Sequence, residues 1–336
     1  MTVRREAVIG ALALLVVASL AMVWAGTNPL NGFAALLHGS LGGYHQISET
    51  LVQTTALLFP SLAVAFAFRA GLFNIGAEGQ LIAGGLCAGL VGASFIAPGP
   101  LAVVAILCAG ALGGAFWGAI AGGLRARYGG NEVIATLMLN ILAVLLANYL
   151  VSGPLHAPGS EGSETASLPH SSWLAVLAPE TRLTIALPIA LALAVFLKFV
   201  LTRTVFGYEL RAAGVAPAAA VRAGIDLRRM ALTAMTISGG IAGLGGATIV
   251  AGVLHRFNVA LSPGYGFIAI AVALVGDLDP LWIILASFVF GILQVGSLAM
   301  QAFAHVPKDT VTFVEGLAIL GLAARRFVAA RAAAAA

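Results

Sequence analysis

Residues 101–123 read LAVVAILCAGALGGAFWGAIAGG and contain no charged side chain. A helix needs about 20 apolar residues to cross the hydrocarbon core of a bilayer, so this stretch is long enough to span a membrane. Glycines recur in it every four residues, at Gly110, Gly114, Gly118 and Gly122. This spacing predicts a bare helix face for close packing against another helix, and Gly239 and Gly243 predict a similar face later in the chain.

The composition of the whole chain agrees with a membrane protein. Of 336 residues, 60% are hydrophobic and 9% are charged, and the mean hydropathy is +1.03, whereas soluble domains carry about 25% charged residues. The pI near 9.4 does not indicate nucleic-acid binding, because the basic residues lie at the ends of apolar runs. Cys87 and Cys108 lie inside such runs, which favours packing over a disulfide or a metal site.

The apolar runs predict an all-α polytopic bundle of about ten transmembrane helices. We place them at 8–24, 50–68, 78–97, 100–124, 132–151, 183–201, 230–253, 265–278, 281–303 and 309–323. A cleaved signal peptide is the alternative for the first run, but the many later spans favour a retained helix. The third and eighth spans follow Asn74-Ile75-Gly76 and Ser262-Pro263-Gly264, so each has a predicted irregular start, either broken or re-entrant.

The basic residues predict the orientation of the chain. With the N-terminus inside, all of the 17 Lys and Arg residues except Arg182, Arg256 and Lys308 fall on the cytoplasmic side. Both termini are then cytoplasmic, residues 152–182 form an extracytoplasmic loop, and residues 202–229 form a cytoplasmic segment. Residues 1–336 are interpreted as a single transmembrane domain with a disordered Ala-rich tail at 327–336. The six His fall in or near the outer segments and are expected to be solvated.

A faint internal repeat accompanies the two irregular starts. Residues 69–74 and 255–258 each precede one of them, and each start leads into an apolar helix. Five spans separate the copies, so they would be inverted in the membrane. Inverted repeats are common in transporters and place the pathway at their interface.

Polar residues at membrane depth are costly and usually line a cavity. The candidates for a solute pathway are Asn74, Glu78, Gln80, Asn131, Glu132, Asn140 and Asn148. The alternatives are amide bonds between helices for Asn140 and Asn148, and capping of first-turn amides for Glu78 and Glu132. Asp277 and Asp279 are expected to close a turn before Pro280. No motif for catalysis or metal binding is present in the sequence.

The basic cytoplasmic segment is predicted to form one short helix, with Pro217 in a first turn and Gly224 at the end. It is too short and polar to span, so it is either a solvated linker or, as we favour, a docking helix for a soluble partner. The candidate contact residues are Gly207, Glu209, Leu210, Arg211, Gly214, Pro217, Arg222 and Gly224.

Several of these stretches resemble a known group. Residues 71–80, GLFNIGAEGQ, and 131–140, NEVIATLMLN, are similar to signatures of permeases in bacterial nucleoside-type ABC importers, and so are residues 207–225, 238–247 and 264–274. The wider group includes simple-sugar and branched-chain amino-acid permeases. The resemblance covers about residues 8–326.

The resemblance implies a transport subunit of the bacterial inner membrane and not an enzyme. The expected partners are a second, paralogous permease, a cytoplasmic ABC ATPase, an extracytoplasmic substrate-binding protein and membrane lipid. No phosphate-binding loop is present, so ATP and Mg²⁺ are expected on the ATPase and no cofactor on this chain. The alternatives are a simple-sugar permease, an ion-coupled secondary transporter and a membrane enzyme or scaffold.

Overall fold

The computed structural model describes residues 16–94, 99–160 and 162–307, together with the single positions 310, 313 and 316. Most of the described residues are helical, and among them there are two isolated β-bridges and no strand. The helices are α1 Pro29–Leu41, α2 Tyr44–Arg69, α3 Ala77–Ser94, α4 Gly99–Tyr128, α5 Glu132–Ser152, α6 Ala186–Arg203, α7 Val205–Val215, α8 Pro217–Arg222, α9 Leu227–Ile249, α10 Tyr265–Val275 and α11 Pro280–Phe303. A π-helical turn, Val250–Leu254, extends α9, and residues 16–24 are also helical.

Six of the described helices are long and apolar enough to cross a membrane: Tyr44–Arg69, Gly99–Tyr128, Glu132–Ser152, Ala186–Arg203, Leu227–Leu254 and Pro280–Phe303. The helices of the third and eighth predicted spans, α3 and α10, are not among these six. Helix α3 carries Glu78 and Gln80 in its first turn, and α10 has 11 residues. The first predicted span overlaps the helical residues 16–24, and the tenth, 309–323, lies outside the continuously described stretches.

The chain divides into two compact units. One contains the residues up to Thr54 and those from Phe288, and the other is Thr55–Ser287, which holds every predicted site residue. In the first unit, a cluster of Met22, Leu36, Met300 and Val306 is buried. Helix α1 in this unit was not predicted, although Asn28 caps its first turn and Pro29 occupies its first position, which is a typical start signal.

The core of the second unit is a close contact of α3, α4 and α9 through their glycines. A Cβ atom on Gly114 would collide with the backbone of Gly239 and Gly243, and one on Gly84 with that of Gly243. The two glycine faces predicted from the sequence therefore meet each other, which confirms the close packing. Larger side chains there would force the helix backbones apart.

Candidate functional site

The break between α2 and α3 is filled by a buried amide cluster. Asn74, which is fully buried, donates from Nδ2 to Gln80 Oε1 at 2.9 Å and to Ser238 Oγ at 2.8 Å. Its Oδ1 accepts from the Gly76 N–H at 2.9 Å. Ser238 in turn donates to the Ala63 carbonyl at 2.6 Å. Asn74 therefore ties the break to α3 and α9, and Ser238 of α9 extends the network to α2.

The first turn of α3 touches the first turn of α10. The Gly266 N–H donates to Glu78 Oε2 at 2.7 Å, and a Cβ atom on Gly266 would collide with the Glu78 backbone. Ser262 is hydrogen-bonded to the Glu78 carboxyl and accepts from the Tyr265 N–H. Gly264, with φ +99°, makes the left-handed turn that starts α10. Glu78 thus lies in a first turn as predicted, but it caps a different helix from its own.

Asn140 of α5 completes this junction. Its Oδ1 accepts from the Gly79 N–H at 2.8 Å, and its Nδ2 donates to the Ile75 carbonyl at 2.9 Å. Amide N–H groups in a first turn have no partner within their own helix, so Asn140 satisfies one of them in α3. Asn148 lies two turns further along α5 and is half-buried. Its side chain has no hydrogen-bond partner among the described residues.

Asn131 and Glu132 lie at the start of α5, apart from this cluster. Asn131 Oδ1 accepts from the Val133 and Ile134 N–H groups and so caps the helix. Glu132 lies in the first turn, as predicted, with an oxygen 3.5 Å from Arg125 Nε. Both residues have a local structural role in this structure.

The junction thus unites four of the seven predicted polar residues: Asn74, Glu78, Gln80 and Asn140. Sequence reasoning did not assign Ser238 and Ser262, which bond to them. Each had a signal in the sequence. Ser238 opens the Gly-rich run of α9, and Ser262 precedes Pro263-Gly264 at the irregular start of α10.

The segment predicted to be cytoplasmic forms two helices, α7 and α8, and not the single helix predicted. Thr204 caps α7 by accepting from the Gly207 N–H at 3.0 Å. Pro217 is the first residue of α8, and Gly224 follows its end with φ +85°, so both of these predictions are confirmed. The chain breaks at Ala216 because the residue before a proline is pushed out of the α region, here to φ −142° and ψ 72°.

Helix α7 has one face against the bundle. Gly207 packs on the backbone of Val200 and Leu201, and Leu210 is fully buried. Gly214 packs on the backbone of residues 69–71, where Gly71 has φ +74°. These three predicted contact residues therefore face inward and hold α7 beside the start of the α2–α3 break.

The other predicted contact residues are more accessible. Glu209 and Arg211 are half-buried, and Pro217, Arg222 and Gly224 are exposed. Val215, at the corner between α7 and α8, is 86% exposed. Its position gives the segment an apolar tip that sequence reasoning missed.

Charged groups also join the ends of α2, α6 and α10. Arg69 donates to the Leu278 carbonyl at 3.1 Å and to the Asp277 carbonyl at 3.2 Å, and Lys198 forms an ion pair with Asp279. Burial raises the pKa of Asp279, but the Lys198 ammonium and the Leu281 N–H outweigh it, so the net pKa lies below its usual value. Asp277 and Asp279 close the turn before Pro280, as predicted.

The loop at 152–182 is fastened to the far end of α9. The Thr165 N–H donates to the Phe257 carbonyl at 2.9 Å and the Leu168 N–H to the His255 carbonyl at 2.8 Å. Glu164 and Arg256 form an ion pair at 2.5 Å. The Ser160 hydroxyl, and then Arg256, lower the pKa of Glu164.

One histidine differs from the expectation of solvated side chains. The His255 ring is half-buried and stacks on Trp173, with centroids 3.5 Å apart and planes at 9°. His170 packs on the same indole at 4.3 Å. The prediction was wrong for His255 because the loop folds back over the end of α9 and covers the ring.

These features define a class, the polytopic helical membrane proteins in which discontinuous helices meet inside the bundle, as they do in many transporters. Residues 46–323 match the family described as branched-chain amino acid transport system / permease component. The chain belongs to this family of ABC transporter permeases. It is a transport component and not an enzyme.

Curated relatives match over most of their length. The guanosine ABC transporter permease protein NupP of Bacillus subtilis is 38% identical over 92% of this chain and 91% of its own. The glucose ABC transporter permease protein TsgB13 of Haloferax volcanii is 33% identical over 95% and 87%. The nucleoside ABC transporter permease protein NupB of Lactococcus lactis is 32% identical over 89% and 85%. No solved structure gives a significant match.

Proposed function

We propose that this chain forms the translocation pathway for a nucleoside in an ABC importer. The observation that carries the proposal is the 38% identity, over 92% of the chain, to a guanosine permease. A simple sugar is the second candidate solute, because the glucose permease is 33% identical over 95% of the chain.

We infer that the pathway runs beside the junction of α3 and α10. Asn74, Glu78, Gln80 and Asn140 are bonded within the protein, so their proposed role is to shape the pathway. Asn148 is the best candidate for direct solute contact, because an amide with no protein partner can both donate to and accept from a base or a ribose. Asn131 and Glu132 are proposed to lie at its cytoplasmic mouth.

The proposed topology has ten crossings, an inverted repeat, two cytoplasmic termini and one permease domain with a disordered tail at 327–336. Contacts between residues at the ends of helices support this topology. Arg69, Lys198 and Asp279, all assigned to the cytoplasmic side, meet at one cluster. Glu164 and Arg256, both assigned to the outside, pair with each other. If an odd number of crossings lay between two members of the same set, those two residues would be on opposite sides of the membrane and could not meet.

We further propose the usual partners of such a permease in a bacterial inner membrane. They are a second, paralogous permease, an ABC ATPase that binds ATP and Mg²⁺, and a substrate-binding protein that docks on the 152–182 loop. The α7–α8 segment is the proposed ATPase contact, through Val215 at its tip and the neighbouring Glu209, Arg211, Pro217, Arg222 and Gly224.

The packing of α7 suggests how nucleotide binding reaches the pathway. Gly214 rests on the backbone at Gly71, where the α2–α3 break begins. A displacement of α7 by the ATPase would therefore move the break and the first turn of α3. Alternating access requires two states with different ATPase contacts. A displacement of α7 against Gly71 would distinguish two such states.

Transport measurements test the solute and the energy source together. We expect cells expressing the permease with its ATPase and binding protein to take up labelled guanosine, and an ATPase-dead variant of the partner to abolish uptake. Uptake of glucose but not guanosine would assign the chain to sugars. Uptake without a functional ATPase would overturn the proposal.

A second measurement tests the coupling segment. We expect Val215→Asp, or Glu209→Gln with Arg211→Gln, to lower uptake by about tenfold while ATP hydrolysis continues, because truncating a docking contact costs on the order of 1 kcal/mol or more. Arg203→Gln, an exposed change that precedes the α7 and α8 helices, is the control. Normal uptake by both test variants would contradict this role of α7–α8.

A further inference from the structure

A basic cavity lies where the end of α4 meets the start of α9. It has a volume of about 480 Å³ and is lined by Arg125, Arg127, Tyr128, Gly129, Leu227 and Arg228. Ligand pockets commonly measure about 300–1,000 Å³, so the volume suits a small polar group.

Two of the arginines around this cavity are neutralised and two are not. Arg125 lies 3.5 Å from a carboxylate oxygen of Glu132, and Arg229, beside the cavity, lies 3.2 Å from one of Asp226. Arg127 and Arg228 are exposed and have no acidic partner among the described residues. The cavity therefore keeps two uncompensated positive charges on opposite walls.

An apolar stripe leads into the cavity along α4. Leu112 and Phe116 are 70% and 68% exposed, and Leu124 and Tyr128 are exposed nearer the end of the helix. On α9, Leu232 is exposed one turn from Arg228. The surface thus changes from apolar to cationic along the helix axis, and the Tyr128 ring follows Arg125 and Arg127 at the end of α4. Aromatic and cationic side chains at a helix end are expected at a membrane–water interface.

We propose that this cavity binds the phosphodiester headgroup of an anionic glycerophospholipid, with its acyl chains along the α4 stripe. Both helices are long and apolar enough to span, so their ends lie at headgroup level. Basic pockets between helix ends on the cytoplasmic side bind anionic headgroups. A soluble acidic partner would match the two charges but not the apolar stripe. The cytoplasmic assignment rests on the topology proposed above.

Lipid binding to the purified full-length permease tests this directly. We expect the wild type to bind phosphatidylglycerol roughly tenfold or more tightly than phosphatidylcholine, with the preference weakening as salt is raised. Arg127→Gln with Arg228→Gln should remove the preference. Arg203→Gln with Arg222→Gln, which removes the same charge from exposed sites outside the cavity, should keep it.

Other outcomes would overturn the site. Equal binding of the two lipids, or an unchanged preference in the Arg127/Arg228 variant, would refute it. Competition by inorganic phosphate as effective as that by phosphatidylglycerol would assign the cavity to a free anion. Crosslinking of a second protein chain at Phe116, with no lipid preference, would assign the stripe to a protein interface. None of these readouts requires transport, so they are independent of the solute proposal.

Discussion

The two helix breaks of this protein differ in how well their polar groups are satisfied. In the first, residues 70–76, the Asn74 side chain bonds to Gln80, Ser238 and the Gly76 backbone. In the second, residues 255–264, Asn258 Oδ1 is buried and has no partner among the described residues. No buried, unpartnered side-chain atom occurs in the first break as described.

This difference indicates which break moves during transport. An unsatisfied buried polar atom costs about 1–3 kcal/mol, so a conformation that satisfies it is favoured by that amount. The second break is also the one attached to the 152–182 loop, through the Thr165–Phe257 and Leu168–His255 hydrogen bonds. We therefore expect the first break to stay rigid during transport. We expect the second break to move when a partner binds to the 152–182 loop.

The largest effect is expected where the two breaks meet. Gly266→Ala should place a Cβ atom against the Glu78 backbone and separate the first turns of α3 and α10. Overpacking costs about 1–3 kcal/mol, and we expect uptake to fall at least about tenfold. The loss is measured as uptake of labelled solute, normalised to the amount of folded protein in the membrane.

Gly123→Ala is the matched control, because nothing lies within 4 Å of its added Cβ atom. Glu78→Gln provides a second variant that keeps the shape of the junction and weakens the bonds of this side chain to Ser262 and to the Gly266 N–H. Wild-type uptake by Gly266→Ala would show that the contact of the two helices is unnecessary.

A paired substitution compares the breaks directly. Asn74→Ala removes the partner of the Gln80 side chain and of the Gly76 N–H, and one of the two partners of Ser238, so we expect the unfolding free energy to drop by roughly 2 kcal/mol or more. Asn258→Ala removes a buried atom that has no partner among the described residues, so the unfolding free energy should stay unchanged or rise by up to about 1–3 kcal/mol. Thermal unfolding in one detergent measures both variants. Equal losses would remove the distinction between the breaks.

The smallest effect concerns the ion pair that anchors the 152–182 loop beside the second break. The pKa of Glu164 is lowered in the folded protein, first by Ser160 and then by Arg256. A carboxyl with a lowered pKa stabilises the fold above its ordinary pKa of about 4.3, and this stabilisation is lost as the pH falls through the folded value. Glu164→Gln should therefore flatten the dependence of the melting temperature on acid pH.

Glu180→Gln, an exposed change in the same loop, is the control for this pH series. An identical acid dependence in wild type and Glu164→Gln would mean that the ion pair does not contribute to folding.

Local features were predictable because they depend on residues close in the chain. The glycine face of α4, the irregular starts before α3 and α10, and the first-turn positions of Glu78 and Glu132 all follow from spacing and flanking residues. The two-helix form of residues 205–222 follows from Pro217 in the same way, although the prediction treated it as one helix. The burial of His255 was missed because it depends on a loop some 80 residues away.

Apolar length and glycine spacing predict a membrane protein, the positions where its helices are interrupted, and the helix faces that are bare enough for close packing. These features act within a single helix, so no other part of the chain is needed to identify them. The partners are visible only in the folded chain: Gly243 with Gly114, Glu78 with Gly266, and Asn140 with Gly79. In a lipid solvent, apolar surface does not discriminate between helices. Backbone contact and the satisfaction of buried polar groups select the pairs, and both depend on residues far apart in the chain.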